Sequence, residues 1–199
     1  MPLPRLRPVS DEQLVDRFRA GDDRAFEAIV ERYRPRLVRY AASMLRSRGG
    51  QAAEDAVQDV FVRAFAALRA DARPMALRAW LYRIAHNRCL DLLRTDAPLE
   101  LDAERAGADA GADVQFERGE RMRRLVADIQ ELSPNQRSAL VIREIDGLGY
   151  AEIAEALGVT VPAVKSLLVR ARMNLAEAAE AREVATERAV SAALAPAAA

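Results

Sequence analysis

Residues 146–175, DGLGYAEIAEALGVTVPAVKSLLVRARMNL, decide how the rest of the chain is read. They spell two helices joined by a tight turn. Ile153, Ala154 and Leu157 share one face of a first helix over 150–157. Gly158 follows where a helix C-terminus favours positive φ. Thr160 can cap the next helix with its hydroxyl, and Pro162 is tolerated in a first turn, where no backbone N–H is needed. Over 161–175, Val164, Leu168, Ala171 and Leu175 cluster on one side. Pro162, Ser166, Val169 and Met173 face the other way, flanked by Lys165 and Arg170. This is the layout of a helix-turn-helix: Ala154 permits close approach, Gly158 turns the chain, and Val164 plugs the second helix onto the first. An αα-hairpin inside a helical core shares the periodicity. The basic outer face favours DNA, with cations for phosphates and short polar groups for base edges in a major groove.

The remaining composition is that of an all-α protein. The chain has 199 residues, 51% hydrophobic but only 5% aromatic, with few glycines and abundant Ala, Leu, Arg and Glu. One Cys and one His exclude an internal disulfide, and no carboxylates stand at ligand spacing, so neither metal nor cofactor is expected. No apolar run approaches membrane-spanning length, and residues 1–10 are too short and proline-rich for a signal peptide, which predicts a cytoplasmic protein. The net charge of zero hides a pattern. Residues 1–95 carry +6, 96–120 carry −6, 121–176 carry +2 and 177–199 carry −2. Two basic segments around an acidic connector suit two nucleic-acid-facing modules and a linker.

Four helices are expected in the first module, 10–95. Ser10-Asp11-Glu12-Gln13 has the form of a capping box, and Leu14, Val15 and Phe18 give the short helix behind it an inner face. After Gly21, Asp22 or Asp23 can cap a longer helix with Phe26, Ile29, Val30, Tyr33, Leu37 and Met44 at helical spacing, which Pro35 should kink or break. The next helix, 51–68, buries Val57, Val60, Phe61, Ala64 and Leu68, and its other face begins Glu54, Asp55, Gln58, Asp59. On periodicity alone, solvation and a favourable dipole at a helix N-terminus account for that acidic face better than a partner does. After the loop RADARPM, 69–75, a helix over 76–95 turns Leu77, Leu81, Ile84, Ala85 and Leu92 inward. Trp80 stands at its boundary, with Tyr82, Arg83, His86, Asn87 and Arg94 outward or sideways. Basic, aromatic and amide side chains so interleaved suit unstacked bases; a core Trp/Tyr pair with solvated arginines fits equally. His86 and Cys89, at i and i+3, have no acidic orienter and read as ordinary helix surface.

Residues 96–114 lack an apolar period and read as a flexible acidic linker. The second module, 115–176, opens with a helix bearing Met122, Leu125, Val126, Ile129 and Leu132. Ser133-Pro134-Asn135-Gln136 repeats the capping box and starts a helix with Leu140, Val141 and Ile145 inward. Residues 177–199 form an Ala-rich tail, expected to continue the last helix and fray.

Three stretches together resemble a bacterial sigma factor of the extracytoplasmic-function (ECF) type, over about residues 10–176. AEDAVQDVFVRAFAAL is similar to sigma region 2.2, RAWLYRIAHNRCLDLLR to regions 2.3–2.4, and LSPNQRSALVIREIDGLGYAEIAEALGVTVPAVKSLLVRARMNL to region 4. The resemblance implies two small helical domains, joined by a linker in place of the region 3 domain, that direct core RNA polymerase to promoters. It matches Asp55, Gln58 and Asp59 to the surface that grips the polymerase β′ clamp, and leads us to prefer a partner over solvation there. It matches the loop with Arg69 and Arg73, and then Trp80, Arg83 and Asn87, to the part that opens the −10 element. Thr160, Lys165, Ser166 and Arg170 match −35 contacts. It also implies contacts with the β flap and, in many members, an anti-sigma factor. Leu167 and Val169 depart from the family pattern, so no −35 preference carries over. A conventional helix-turn-helix regulator that dimerises, and an enzyme fused to a DNA-binding tail, are the alternatives; for the second we find no catalytic constellation.

Overall fold

The computed structural model describes residues 9–71, 73–95 and 113–194, and all their regular structure is helical. Local chemistry sets the first helix, α1 (Asp11–Arg19). The Ser10 hydroxyl accepts from the Gln13 N–H at 3.2 Å while the Gln13 amide oxygen accepts from the Ser10 N–H at 3.0 Å, so two orphan donors are satisfied. α2 (Asp23–Met44) follows, then a single 3-10 turn (Arg46–Arg48), α3 (Gly49–Ala70) and α4 (Leu77–Thr95). Phe18, Ile29, Leu37, Met44, Val60, Leu68 and Leu81 form the core of this group. α2 runs unbroken through Pro35, where a kink or break was expected. Pro35 is exposed, so water can satisfy the carbonyl that loses its N–H partner, and buried Tyr33 and Leu37 hold the helix on either side.

The second group comprises α5 (Asp113–Glu131), α6 (Pro134–Glu144), α7 (Tyr150–Leu157) and α8 (Val161–Leu194). The turn between α7 and α8 has the expected form. Gly158 takes φ +66°, its N–H and that of Val159 return to carbonyls of the last turn of α7, and Ala154, Val164, Leu168 and Ala171 are buried. Thr160 Oγ1 accepts weakly from the Ala163 N–H at 3.4 Å. α8 continues well past Leu175, and there Arg182 grips Asp128 of α5 with both guanidinium nitrogens, at 3.0 and 2.5 Å. Ile145, expected inward, is exposed, because α6 ends at Glu144 and the chain turns away. Of the expected linker, residues 96–112 lie outside the described residues, and 113 and 114 already belong to α5; residues 195–199 also lie outside.

The two groups pack on each other, α4 against α7 and α2 against α6, sharing one apolar core into which polar contacts are set. Tyr40 Oη, Ser138 Oγ and His86 Nδ1 form a buried triangle with sides of 2.7, 3.1 and 3.2 Å. Arg137 donates to Ile129, Gln130 and Leu132 carbonyls at the end of α5 and, at 3.2 Å, to the Met44 carbonyl at the end of α2. Gln130 donates to the Ser43 carbonyl at 2.9 Å, and Arg78 meets Glu152 at 3.2 Å. The Asp146 carboxylate is buried, with Arg39 at 3.8 Å and the Tyr82 hydroxyl facing it.

This interface corrects the reading of α4. Tyr82, His86 and Cys89 were placed outward or on helix surface, and all three are buried. α4 is covered from two sides, by its own group and by α6 and α7, whereas a single apolar stripe reveals only one. Burial holds the His86 imidazole down at about 4 and pushes the Cys89 thiol up to about 12.

Candidate nucleic-acid interface

The outward face of α8 follows from its inner one. With Val164, Leu168 and Ala171 buried, the residues between them must point to solvent, and Pro162, Lys165, Ser166, Val169, Arg170 and Met173 are exposed. Lys165 and Arg170 form no ion pair within the described residues, whereas Arg172 is tied to Glu144 at 2.9 Å. Ser166 donates to the Pro162 carbonyl at 3.2 Å, so its oxygen remains an outward acceptor. An exposed helix with disengaged cations, set on a second helix by a glycine turn, can enter a major groove.

On α4 the structure brings Trp80, Arg83, Asn87 and Arg94 onto one arc of roughly 60° at 3.6 residues per turn. It lies clear of the arc of buried Tyr82, His86 and Cys89 and half-buried Arg78. Arg83 and Asn87 are exposed without partners among the described residues; Trp80 is half-buried against the core. The two arginines expected in the loop are placed differently, and Arg69 belongs to the last turn of α3. Arg69 is ion-paired with Asp23 and lies over the Phe18 and Phe65 rings at 5.2 and 4.8 Å from their centroids, so it braces the module. Arg73 is exposed but curls onto Asp71, whose carboxyl its guanidinium and backbone N–H hold down at about 2. That turn is pinned by Arg19, which donates to the Arg73 carbonyl at 2.9 Å.

The α3 face is mixed. Asp55 and Gln58 are exposed, and Asp55 accepts from the Gln51 amide at 3.0 Å. Asp59 is half-buried and ion-paired to Arg88 of α4 at 2.6 Å. Sequence reasoning missed that partner, and also Val62, which is 65% exposed one turn further along the same stripe. The signal for Val62 was its spacing of seven from Asp55.

An acidic stripe on one helical module, a basic aromatic arc beside it, and a helix-turn-helix on the second module define a transcription factor of the sigma-70 class. Residues 29–98 match the family Sigma-70 region 2 and residues 122–175 match Sigma-70, region 4. The RNA polymerase sigma-H factor of Pseudomonas aeruginosa is 32% identical over 175 residues, which cover 81% of this chain and 90% of that protein. The ECF RNA polymerase sigma-E factor of Escherichia coli is 31% identical over 177 residues, 82% of this chain and 91% of that one. Among solved structures, CnrH in complex with the cytosolic domain of CnrY superposes with a TM-score of 0.66 at 31% identity, over 86% of this chain and 97% of CnrH. RpoE of Bartonella quintana, in complex with the anti-sigma factor NepR, shares the fold with a TM-score of 0.62 at 24% identity, over 78% and 96%. The chain belongs to the ECF sigma factors, the subunits that direct RNA polymerase to promoters.

Proposed function

We propose that this sigma factor grips the β′ clamp of core polymerase through Asp55, Gln58 and Val62, with Asp59 at the rim, and touches the β flap through its second module. Trp80, Arg83 and Asn87 hold bases of the opened −10 element, while Arg69 and Arg73 shape the loop beside them. Thr160, Lys165, Ser166 and Arg170 lie along the −35 element. The observation that carries the reading is the presence, on two separate modules, of exposed faces with cations, Arg83 on one and Lys165 and Arg170 on the other, that have no partner among the described residues. Captured unpaired bases offset the few kcal/mol that each unstacked step costs, so melting needs no catalytic group, and we assign no enzyme activity. One solved structure of similar fold was captured with an anti-sigma factor and another with the cytosolic domain of a second protein, which supports control of this chain by an anti-sigma factor in the cytoplasm.

The test is co-elution of the full chain with sigma-free core polymerase, followed by transcription from a promoter library. Binding and sequence-restricted transcripts are expected; operator binding by the protein alone, without co-elution, would hand the case to a conventional regulator. Asp55→Arg probes the clamp face without disturbing the Asp59–Arg88 pair and should abolish co-elution; full affinity would sink the clamp assignment. Lys165→Ala and Arg170→Ala should each lower the slope of log affinity against log salt by about one. An unchanged slope would place the DNA on another face.

A further inference from the structure

Val169 and Met173, one turn apart on the outward face of α8, are 54% and 53% exposed and serve no core. Single exposed hydrophobic residues need no explanation. The setting of this pair is different. Residues 161–176 contain Lys165, Arg170 and Arg172 and no carboxylate, whereas residues 177–194 contain Glu177, Glu180, Glu183 and Glu187. The half of the helix suited to a polyanion is thus the half that exposes Val169. Around it stand the disengaged heads of Lys165 and Arg170 and the acceptor oxygen of Ser166.

Lys165 and Arg170 can reach phosphates or a guanine edge, but the Val169 side chain itself can form no hydrogen bond to a base. It offers instead a branched apolar surface with a restricted χ1, which loses little freedom on contact. The apolar feature that a base pair shows in the major groove is the 5-methyl group of thymine.

We propose that Val169 is a specificity-determining residue of the −35 contact and packs on the 5-methyl group of a thymine. The inference rests on the −35 reading of α8 given above. It is tested with holoenzyme assembled from the full chain and core polymerase, on a promoter recovered from the library. Each thymine of the −35 element, on both strands, is replaced in turn by deoxyuridine, which removes the methyl and keeps the pairing. At one or two adjacent positions the wild type should bind about three- to fivefold more weakly, as expected for one methyl left unburied. Val169→Ala should abolish that sensitivity at the same positions and leave the salt dependence as it was. Uracil tolerated at every position by the wild type, or an equal loss in both proteins, overturns the proposal while leaving the −35 reading standing. If scrambling the −35 element leaves holoenzyme binding unchanged, the −35 reading falls and the proposal with it.

Discussion

His86 is the single histidine of the chain, and its Nδ1 faces two hydroxyls, Tyr40 of α2 and Ser138 of α6, with Asn135, Cys89 and Arg94 around it. Neutral imidazole fits this place; imidazolium would be a buried cation without a carboxylate. With the folded value at about 4 and the unfolded one at about 6.5, the neutral form contributes stability that is intact above the unfolded value and is lost as pH falls from there towards the folded one. Between pH 7.5 and 5 the loss should be about 2 kcal/mol. His86→Leu leaves Tyr40 and Ser138 bonded to each other at 2.7 Å, so the variant should lack this component. Urea midpoints of both proteins at the two pH values check it. Parallel declines would show that the imidazole is not what titrates. Nothing in the local sequence revealed this site, because Ser138 is 52 residues away and on the other module.

Helix ends show how far local sequence could be trusted. Gly158, Ala154 and Val164 were legible because their roles depend on spacing within one turn, and Gly158→Ala should cost about 1–2 kcal/mol of thermal stability through its positive φ. A smaller loss would mean that the turn relaxes. Arg137 was not legible: it reads as a polar residue within a helix, yet its guanidinium caps the C-termini of both α5 and α2, the second 93 residues back. Arg137→Met should cost about 3 kcal/mol or more, since several carbonyls lose their donor together and their neighbours must admit water. Arg137→Lys, with one compact donor head, should recover only part of this. Equal melting temperatures for Met and Lys variants would show that the side chain acts by packing. The same contrast divides the candidate site. Lys165, Ser166 and Arg170 were readable from one helical wheel, whereas the engagement of Arg69 by Asp23, Phe18 and Phe65 depends on residues up to 51 positions away.

At the scale of the whole molecule, the packing of α4 on α7 and α7 on α8 sets the distance between the proposed DNA faces. Helices in contact lie about 8–10 Å apart, so the start of α8 is roughly 20 Å from α4. Elements named −10 and −35 are about 25 base pairs apart, on the order of 85 Å of duplex. The closed body cannot lie on both, so the two proposed contacts require the interface between the groups to part when a promoter is bound. Dyes attached through Arg63→Cys and Glu155→Cys, both exposed, should show strong energy transfer in the free protein and weak transfer in the promoter complex. Unchanged transfer would mean that DNA is engaged in the closed form. α8 itself is one continuous helix. It spans 34 residues, about 51 Å, with no glycine and no proline after Pro162. Ser166 and the Asp128 clip at Arg182 are 16 residues apart, which places them about 160° apart around the axis. The clip of Arg182 onto α5 therefore lies on the opposite side of the helix from the proposed DNA-facing strip, whose own heading is set by the buried Val164, Leu168 and Ala171. One extra residue between Leu175 and Arg182 would swing Arg182 about 100° away from Asp128 and undo the clip without touching any group proposed to meet DNA.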